Sequence, residues 1–133
     1  TITEIFNSID FTKNLKLNSM DEKFLRKAIK IVEEKMDDPE FSVEVLGQEL
    51  GMSRTNLFRK LKALTNQSAS HFIRTIKIKR ASLYLDEGFN ISEASIKVGI
   101  NSRSYFKKCF EKQFKISPSE YIKQKNKNIS SNI

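Results

Sequence analysis

The sequence of 133 residues is poor in several residue types, and each shortage excludes a class of protein. Its one cysteine, Cys109, rules out an internal disulfide and is consistent with a reducing compartment, so we expect a cytoplasmic location. No apolar run has transmembrane length and no signal-peptide pattern occurs, so we expect no membrane contact by this segment. Only four Gly and two Pro interrupt long stretches with helical periodicity. These features together predict an all-α fold.

Residue patterns with catalytic or metal-binding chemistry are also missing. No nucleophile and base stand at a catalytic spacing, and neither a phosphate-binding loop nor a metal-ligand motif occurs. The single histidine, His71, suits a surface or capping role better than a ligand role. The acidic residues form no converging pair. We therefore predict a protein that is not an enzyme and has no catalytic residue, no cofactor and no metal.

Positive charge is in excess. Lysine and arginine number 24 against 16 aspartate and glutamate, which gives a formal net charge of +8. An excess of this size favours a polyanionic partner, with nucleic acid first and an anionic membrane surface second. Composition alone is also compatible with a basic protein that binds no polyanion.

The stretch GINSRSYFKKCFEKQFKISPSEY, which begins at Gly99, has the pattern of a DNA-reading helix after a glycine turn. Phe106, Phe110 and Phe114 recur at a spacing of four, so they share one face of a helix. Several cationic residues lie off that face. A capping box with proline at the first helical position, SPSE, then starts another helix after Ser117.

The same pattern occurs earlier in the chain, so the sequence contains an internal repeat. Helix-breaking, capping and core positions all correspond between the two copies. The matched residues are Leu46, Leu50, Gly51, Ser53, Arg54, Leu57, Leu61, Ser68 and Phe72 in the first copy and Ala94, Val98, Gly99, Ser102, Arg103, Phe106, Phe110, Ser117 and Tyr121 in the second. Two helix-turn-helix units joined by a spacer helix are expected to place two recognition helices about 34 Å apart, one turn of B-DNA.

Capping and breaking signals predict about seven helices in five segments. Ser19 with Glu22 is the predicted cap of the first helix. The later caps are Ser42, Ser53, Ser68, Asn90 with Glu93, and Ser102. We expect a linker or arm from an upstream domain over residues 1–18, a first helix-turn-helix subdomain over 19–67, a linker helix over 68–88, a second subdomain over 89–124 and a disordered tail over 125–133.

From about Asp21 to Ile122 the chain resembles the DNA-binding domain of AraC/XylS-type transcription regulators. The C-terminal signature of that family is seen here as Ala94, Val98-Gly99, Ser104-Tyr105-Phe106-Lys107, Phe110, Phe114, Ser117-Pro118 and Tyr121. The phrases DEKFL, DPEFSVE, RKLKALTNQS and SPSEY are most similar to the C-terminal output domain of hybrid two-component sensor–regulators. The resemblance implies two helix-turn-helix subdomains, double-stranded DNA as partner, and upstream sensor or receiver domains in a longer chain. That longer chain is either wholly cytoplasmic or a membrane-bound sensor–regulator of which this segment is a cytoplasmic part.

The resemblance also implies which residues meet DNA. The base-contacting positions of the family fall on Thr55, Phe58, Arg59, Arg103, Ser104, Lys107 and Lys108. Arg54 joins Arg59 and Arg103 as a candidate because one guanidinium can bond the O6 and N7 of guanine together. Lysine suits phosphates better, since its ammonium has no fixed fork, so Lys107 and Lys108 are open to either role. The predicted phosphate contacts are Ser53, Lys60, Lys62, Ser102 and Lys112.

Two residues allow more than one local structure. The ring of Phe58 either packs on a thymine methyl group or packs on a neighbouring helix. Lys115 stands where the family has glycine, and a residue with a side chain is disfavoured in the left-handed conformation of such a turn.

A second class of function is also compatible with the sequence. A basic helical module could bind an acidic protein, for example part of RNA polymerase, without reading a DNA sequence. Absence of any binding to random duplex at low salt would favour this second class, because a DNA-binding domain is expected to bind it. We expect the isolated domain to be monomeric.

Overall fold

The computed structural model describes the backbone of residues 18–131 and the side chains of residues 18–128. The arm predicted over residues 1–18 therefore lies outside the described residues, apart from Asn18. The described residues form seven α-helices and no strand, which confirms the all-α prediction. None of these helices is long and apolar enough to cross a membrane. They are α1 (Ser19–Lys35), α2 (Val43–Glu49), α3 (Arg54–Thr65), α4 (Ala69–Asp86), α5 (Ile91–Lys97), α6 (Arg103–Phe114) and α7 (Pro118–Ser131).

Helix starts follow the predicted capping residues in most cases. The hydroxyl of Ser42 accepts a hydrogen bond from the backbone N–H of Val45 at 3.3 Å, which caps α2. Asn90 and Glu93 form a complete capping box at the start of α5, each side chain accepting from the backbone N–H of the other. These local bonds satisfy N–H groups that have no partner within the helix.

The cap of α1 corrects one prediction. The amide oxygen of Asn18 accepts from the backbone N–H of Asp21 at 2.8 Å, so Asn18 is the N-cap and Ser19 is the first helical residue. Asparagine and serine are both good N-caps, and they stand side by side here. The pattern of residue types alone therefore does not decide between them.

The described residues divide into two compact units, and the division lies inside α4, between Lys77 and Ile78. In the first unit, α1 packs against α2, and α2 packs against α3. In the second unit, α5 packs against α6, and α6 packs against α7. Each unit thus contains two helices joined by a tight turn, as the internal repeat predicts. The subdomain boundaries given above stay predictions.

Small residues shape both tight turns. Gly51 and Gly99 have φ of +67° and +74°, a region that favours glycine. A Cβ added at Gly47 would lie 3.0 Å from a backbone carbonyl oxygen of the turn, so the chain passes very close to this residue. The matching residue of the second turn is Ser95, whose hydroxyl donates to the carbonyl oxygen of Ile100. In each unit, a small residue at this position lets the two helices approach closely.

Mainly aliphatic side chains form the core of the first unit. They recur at helical spacing, so each helix buries one face. Full burial of one such side chain contributes about 1.5–3 kcal/mol to folding. The fully buried residues of this unit include Leu25, Ile29, Val32, Leu46, Leu57, Leu61, Phe72 and Ile76.

Aromatic rings form the centre of the second unit. Phe110 is fully buried, and its ring centroid lies 5.9 Å from that of Phe106, 4.6 Å from that of Phe114 and 5.4 Å from that of Tyr121. The Tyr121 hydroxyl donates to a carboxylate oxygen of Asp86 at 2.8 Å. Burial, followed by the interaction with Asp86, raises the pKa of Tyr121 to about 12, so the hydroxyl keeps its proton at neutral pH. Tyr121 thereby fastens α7 to α6 and to the end of α4.

Within the described part of the chain, two residues other than glycine have positive φ, and they end α3 and α6. Asn66 has φ of 57° and Lys115 has φ of 67°. The backbone N–H of Lys115 donates to the carbonyl oxygen of Glu111 at 2.8 Å. Lys115 therefore makes the turn for which glycine is the usual residue, at a steric cost of about 1–2 kcal/mol.

Replacing Lys115 by glycine is expected to raise the free energy of unfolding by about 1 kcal/mol, because glycine adopts positive φ without a steric cost. Asn66→Gly is expected to gain less, since asparagine tolerates this conformation. Lys112→Gly, within α6, is the control and is expected to lose about 1 kcal/mol. Urea unfolding of the three variants measures this order. A Lys115→Gly protein less stable than the wild type would contradict the assigned strain.

The last helix corrects a second prediction. Helix α7 continues through Ser131, whereas the polar composition predicts disorder from residue 125. No proline or glycine follows Pro118, so nothing in the sequence breaks the helix. The ammonium of Lys125 lies 3.6 Å from a carboxylate oxygen of Asp86, which adds a contact beyond the first turns. A polar segment can thus be the exposed end of a helix whose first turns are packed.

Candidate nucleic-acid interface

Helix α3 has a buried face and an exposed face, as its spacing predicts. Leu57 and Leu61 are fully buried, whereas Thr55, Phe58 and Arg59 are exposed. Phe58 exposes 49% of its surface. This exposure favours a ring that points to solvent, where it could meet a thymine methyl group, over a ring packed on a neighbouring helix. The residues predicted to contact bases therefore share the exposed face of α3.

Arg54, the first residue of α3, has a partner within the protein. Its guanidinium donates to the carboxylate of Glu44 on α2, and the two form an ion pair. The backbone N–H of Glu44 and the charge of Arg54 together hold the pKa of this carboxyl below its usual range, so Glu44 is ionised at neutral pH. The sequence predicted Arg54 for base readout but gave no sign of this pair.

Two lysines predicted to contact phosphate also have partners in the first unit. The ammonium of Lys60 lies 4.5 Å from the ring centroid of Phe24 on α1, in a cation–π contact, and Lys60 is half-buried. The ammonium of Lys62 donates to the carbonyl oxygen of Asn66 at 3.4 Å and stays exposed. Of the two, Lys62 is better placed to meet DNA, and both assignments stay predictions.

Helix α6 repeats this arrangement in the second unit. Phe106 and Phe110 are fully buried, and the predicted DNA contacts lie on the exposed side. None of the cations among these contacts forms an ion pair with a carboxylate of the described residues. The exposed residues are Arg103, Ser104, Lys107, Lys108 and Lys112.

The two capping serines predicted to contact phosphate are exposed and partly engaged. The hydroxyl oxygen of Ser53 accepts from the N–H of Asn56 at 3.2 Å, and that of Ser102 accepts from the N–H of Tyr105 at 3.2 Å. A hydroxyl that accepts in a cap still carries a proton to donate. Each serine can therefore cap its helix and donate to a phosphate oxygen at the same time.

A cleft of about 590 Å³ opens beside α6 in the second unit. Its walls are the first residues of α5, the outer side of α6 and the first residues of α7. Two cationic side chains and no acidic side chain line it. The lining residues are Asn90, Ile91, Ser92, Arg103, Ser104, Lys107, Pro118 and Ser119.

The cleft brings together three of the predicted DNA contacts and adds residues that the sequence did not indicate. Asn90 is predicted only as a helix cap, and Ser92 and Ser119 have no predicted role. Each of the three stands at or next to the start of a helix that flanks α6, which is a signal available in the sequence. Hydroxyl donors near two cations suit a phosphate, because phosphate offers only acceptor oxygens.

Side chains that could ligate a metal ion do not cluster in the described residues. No group of three or more His, Cys, Asp or Glu side chains in this part of the chain lies close enough to hold a metal ion. Cys109 is half-buried on α6 and does not line the cleft. The two cationic side chains and the hydroxyl groups of the cleft suit an anionic ligand.

Sequence comparisons place these features in context. A family model described as a helix-turn-helix domain matches residues 46–124. The chain is 48% identical over 106 residues to Histidine kinase P4 of Formosa agariphila, covering 79% of this chain and 8% of that protein. It is 28% identical over 97 residues to the HTH-type transcriptional regulator MtrA of Neisseria gonorrhoeae, covering 71% of this chain and 32% of that protein. The chain thus spans a minor part of the length of these relatives.

Solved structures share the fold. A transcriptional regulator from Chromobacterium violaceum, described as an AraC-type DNA-binding domain-containing protein, superposes with a TM-score of 0.73 at 23% identity, covering 81% of this chain and 96% of that one. The C-terminal domain of AraT, a response regulator from Geobacillus stearothermophilus, superposes with a TM-score of 0.66 at 24% identity, covering 76% of this chain and 84% of that one. At these identities the likeness concerns the fold.

Proposed function

Because the chain belongs to the AraC-type helix-turn-helix family, we propose that α3 and α6 are recognition helices that enter successive major grooves of one DNA duplex. The domain is a sequence-specific DNA-binding domain of a transcription regulator. Its family and fold are those of such regulators and not those of enzymes. The observation that carries the proposal is the acid-free cleft beside α6, lined by Arg103 and Lys107.

The contacts divide into two kinds under this proposal. Phosphate contacts supply most of the affinity and fix the position of each helix, and a few side chains in the grooves supply the specificity. Arg59 and Arg103 are the proposed base readers, since both are exposed and neither is held by a carboxylate of the described residues. Phe58 is proposed to contact a thymine methyl group. Lys62, Lys108 and Lys112 are proposed to meet phosphates.

Fluorescence anisotropy with a labelled random-sequence duplex at low salt tests whether the domain binds double-stranded DNA. A DNA-binding domain is expected to bind this duplex, because the phosphate attraction does not depend on sequence. Selection of bound duplexes from a random pool then gives the preferred site. Because the two units differ in sequence, that site is expected to contain no palindrome within the footprint of one monomer. No binding at any salt concentration would instead support the alternative function, a protein-interaction module.

Arg103→Ala is expected to weaken binding to the selected duplex by about 1–3 kcal/mol and to relax the preference at one base pair. The reason is the loss of a forked donor that can bond one guanine at two atoms. Lys123→Ala, on the exposed side of α7 and outside the cleft, is the charge-matched control and is expected to keep the preference. A repeat of the selection with each variant measures the change. An unchanged preference with Arg103→Ala would show that Arg103 does not read a base.

We also propose a context for the domain. The similarity to a part of Histidine kinase P4 supports the role of an output domain in a longer sensor–regulator, with sensor or receiver domains upstream. Such an output domain acts where the DNA is, which is the cytoplasm. The isolated domain is proposed to be monomeric, and RNA polymerase is proposed as its second macromolecular partner.

A further inference from the structure

The two units differ in charge at one matched position. Helices α2 and α5 have seven residues each and begin after the caps Ser42 and Asn90. The second helical residue is Glu44 in α2 and Ser92 in α5. The internal repeat therefore places a carboxylate in the first unit where the second unit has a hydroxyl.

The recognition helices begin with matched arginines that have different surroundings. Arg54 and Arg103 each follow the capping serine as the first helical residue. The guanidinium of Arg54 is paired with the carboxylate of Glu44. Arg103 and Ser92 line the same cleft, and within the described residues no carboxylate forms an ion pair with Arg103. The charge of Arg54 is thus compensated by a carboxylate of the same protein, whereas no carboxylate of the described residues compensates the charge of Arg103.

We propose that Glu44 competes with DNA phosphate for Arg54, so that the first unit contributes less sequence-independent affinity than the second, which is the main electrostatic anchor. This inference rests on the proposed function, since it needs DNA as the ligand. It assigns Glu44 a role in setting the sequence-independent part of the affinity. The sequence-independent part of the affinity at α3 is lowered. The remaining contacts of α3 then supply a larger share of its total contribution to binding.

The exposure of the pair decides how it acts. The side chains of Arg54 and Glu44 are 71% and 53% exposed, so solvent screens their attraction and the pair can open. A phosphate that displaces Glu44 must then approach an uncompensated carboxylate. Binding in either state releases fewer counterions than a free arginine would release. The expected signature is therefore in the salt dependence of binding.

A change of charge at each of the two matched positions provides the test. Glu44→Gln is expected to tighten binding to a random-sequence 30-base-pair duplex and to make the slope of log K against log salt steeper by about 0.9. Ser92→Glu is expected to weaken binding and to make the slope shallower by about 0.9, because it places a carboxylate beside Arg103. Ser92→Gln is the neutral reference of equal length. One contact corresponds to roughly a three- to fourfold change in the loss of affinity between 50 and 200 mM salt.

A double-mutant cycle shows whether the effect passes through Arg54. Arg54→Ala is expected to change the slope little in the wild type. In the Glu44→Gln background it is expected to make the slope shallower by about 0.9, because the arginine is then uncompensated. Glu34→Gln removes one negative charge from an exposed position on α1 and is expected to leave the slope unchanged. This control separates the local pair from the net charge of the protein. Circular dichroism and urea unfolding confirm that each variant is folded.

The outcomes separate this inference from the function on which it rests. A wild type that does not bind duplex at any salt concentration overturns the proposed function. A wild type that binds with a steep slope, together with a Glu44→Gln variant of equal slope, overturns only the role of Glu44. Weaker binding by Glu44→Gln also overturns it, because that result means that Glu44 holds Arg54 in the orientation that DNA needs.

Discussion

Raising the salt concentration from 50 to 200 mM is expected to weaken binding to a random-sequence duplex by about a thousandfold. The size of this loss follows from the number of exposed cations on α3 and α6 that have no carboxylate partner among the described residues. A cation held in a groove displaces counterions whether it bonds a base edge or a phosphate oxygen. If each of these cations neutralises one phosphate charge, the slope of log K against log salt is about −5, since each contributes about −0.9. These cations are Arg59, Lys62, Arg103, Lys107, Lys108 and Lys112.

Anisotropy titrations at four or more salt concentrations measure the slope. Lys108→Gln is expected to make it shallower by about 0.9 and to weaken binding to all sequences alike. Lys123→Gln, on the exposed side of α7, is the control with the same change of charge and is expected to have a smaller effect. A slope near zero would rule out phosphate contacts as the main source of affinity.

Phe110→Ala is expected to lower the free energy of unfolding of the second unit by about 3–5 kcal/mol. The ring is fully buried and contacts three other aromatic rings, so its removal leaves a cavity at the centre of the unit. Neighbouring rings can fill only part of that cavity, because their positions are fixed by α6 and α7. Binding to duplex is expected to fall with the folded fraction of this unit.

Urea unfolding with hydrogen exchange of the α6 amides measures this loss and locates it. Phe58→Ala is the matched control, since it truncates an exposed phenylalanine of α3. It is expected to change stability by less than about 0.5 kcal/mol, because it creates no cavity. A loss below about 1 kcal/mol for Phe110→Ala would mean that the aromatic cluster does not hold the second unit together.

Local chemistry made much of the fold predictable from the sequence. Serine or asparagine before an apolar repeat correctly gave the starts of α2, α3, α5 and α6. The spacing of Phe106 and Phe110 correctly gave the buried face of α6. Such signals are readable because the interacting groups lie within four residues of one another. The start of α1 was missed by one residue, since Asn18 and Ser19 both suit the role of cap.

Contacts between helices were not predictable in the same way. Arg54 and Glu44 are ten residues apart, and they meet only because the turn at Gly51 brings α2 and α3 together. The contact of Lys60 with Phe24 likewise depends on the packing of the first unit. The cleft beside α6 requires the starts of two other helices to converge. Residue types indicated which side chains face outward, but only the packing of the helices shows which of these side chains already bind a partner within the protein.

The position of the division within α4 has a practical consequence for dissecting the protein. A cut between Lys77 and Ile78 would fall inside a helix of 18 residues that contains no glycine or proline. Phe72 and Ile76 on one side of the cut and Leu85 on the other are all buried, so each half draws core residues from this helix. A cut there would also leave about four backbone carbonyls without partners. Fragments meant to fold alone should therefore overlap, each keeping the whole of α4.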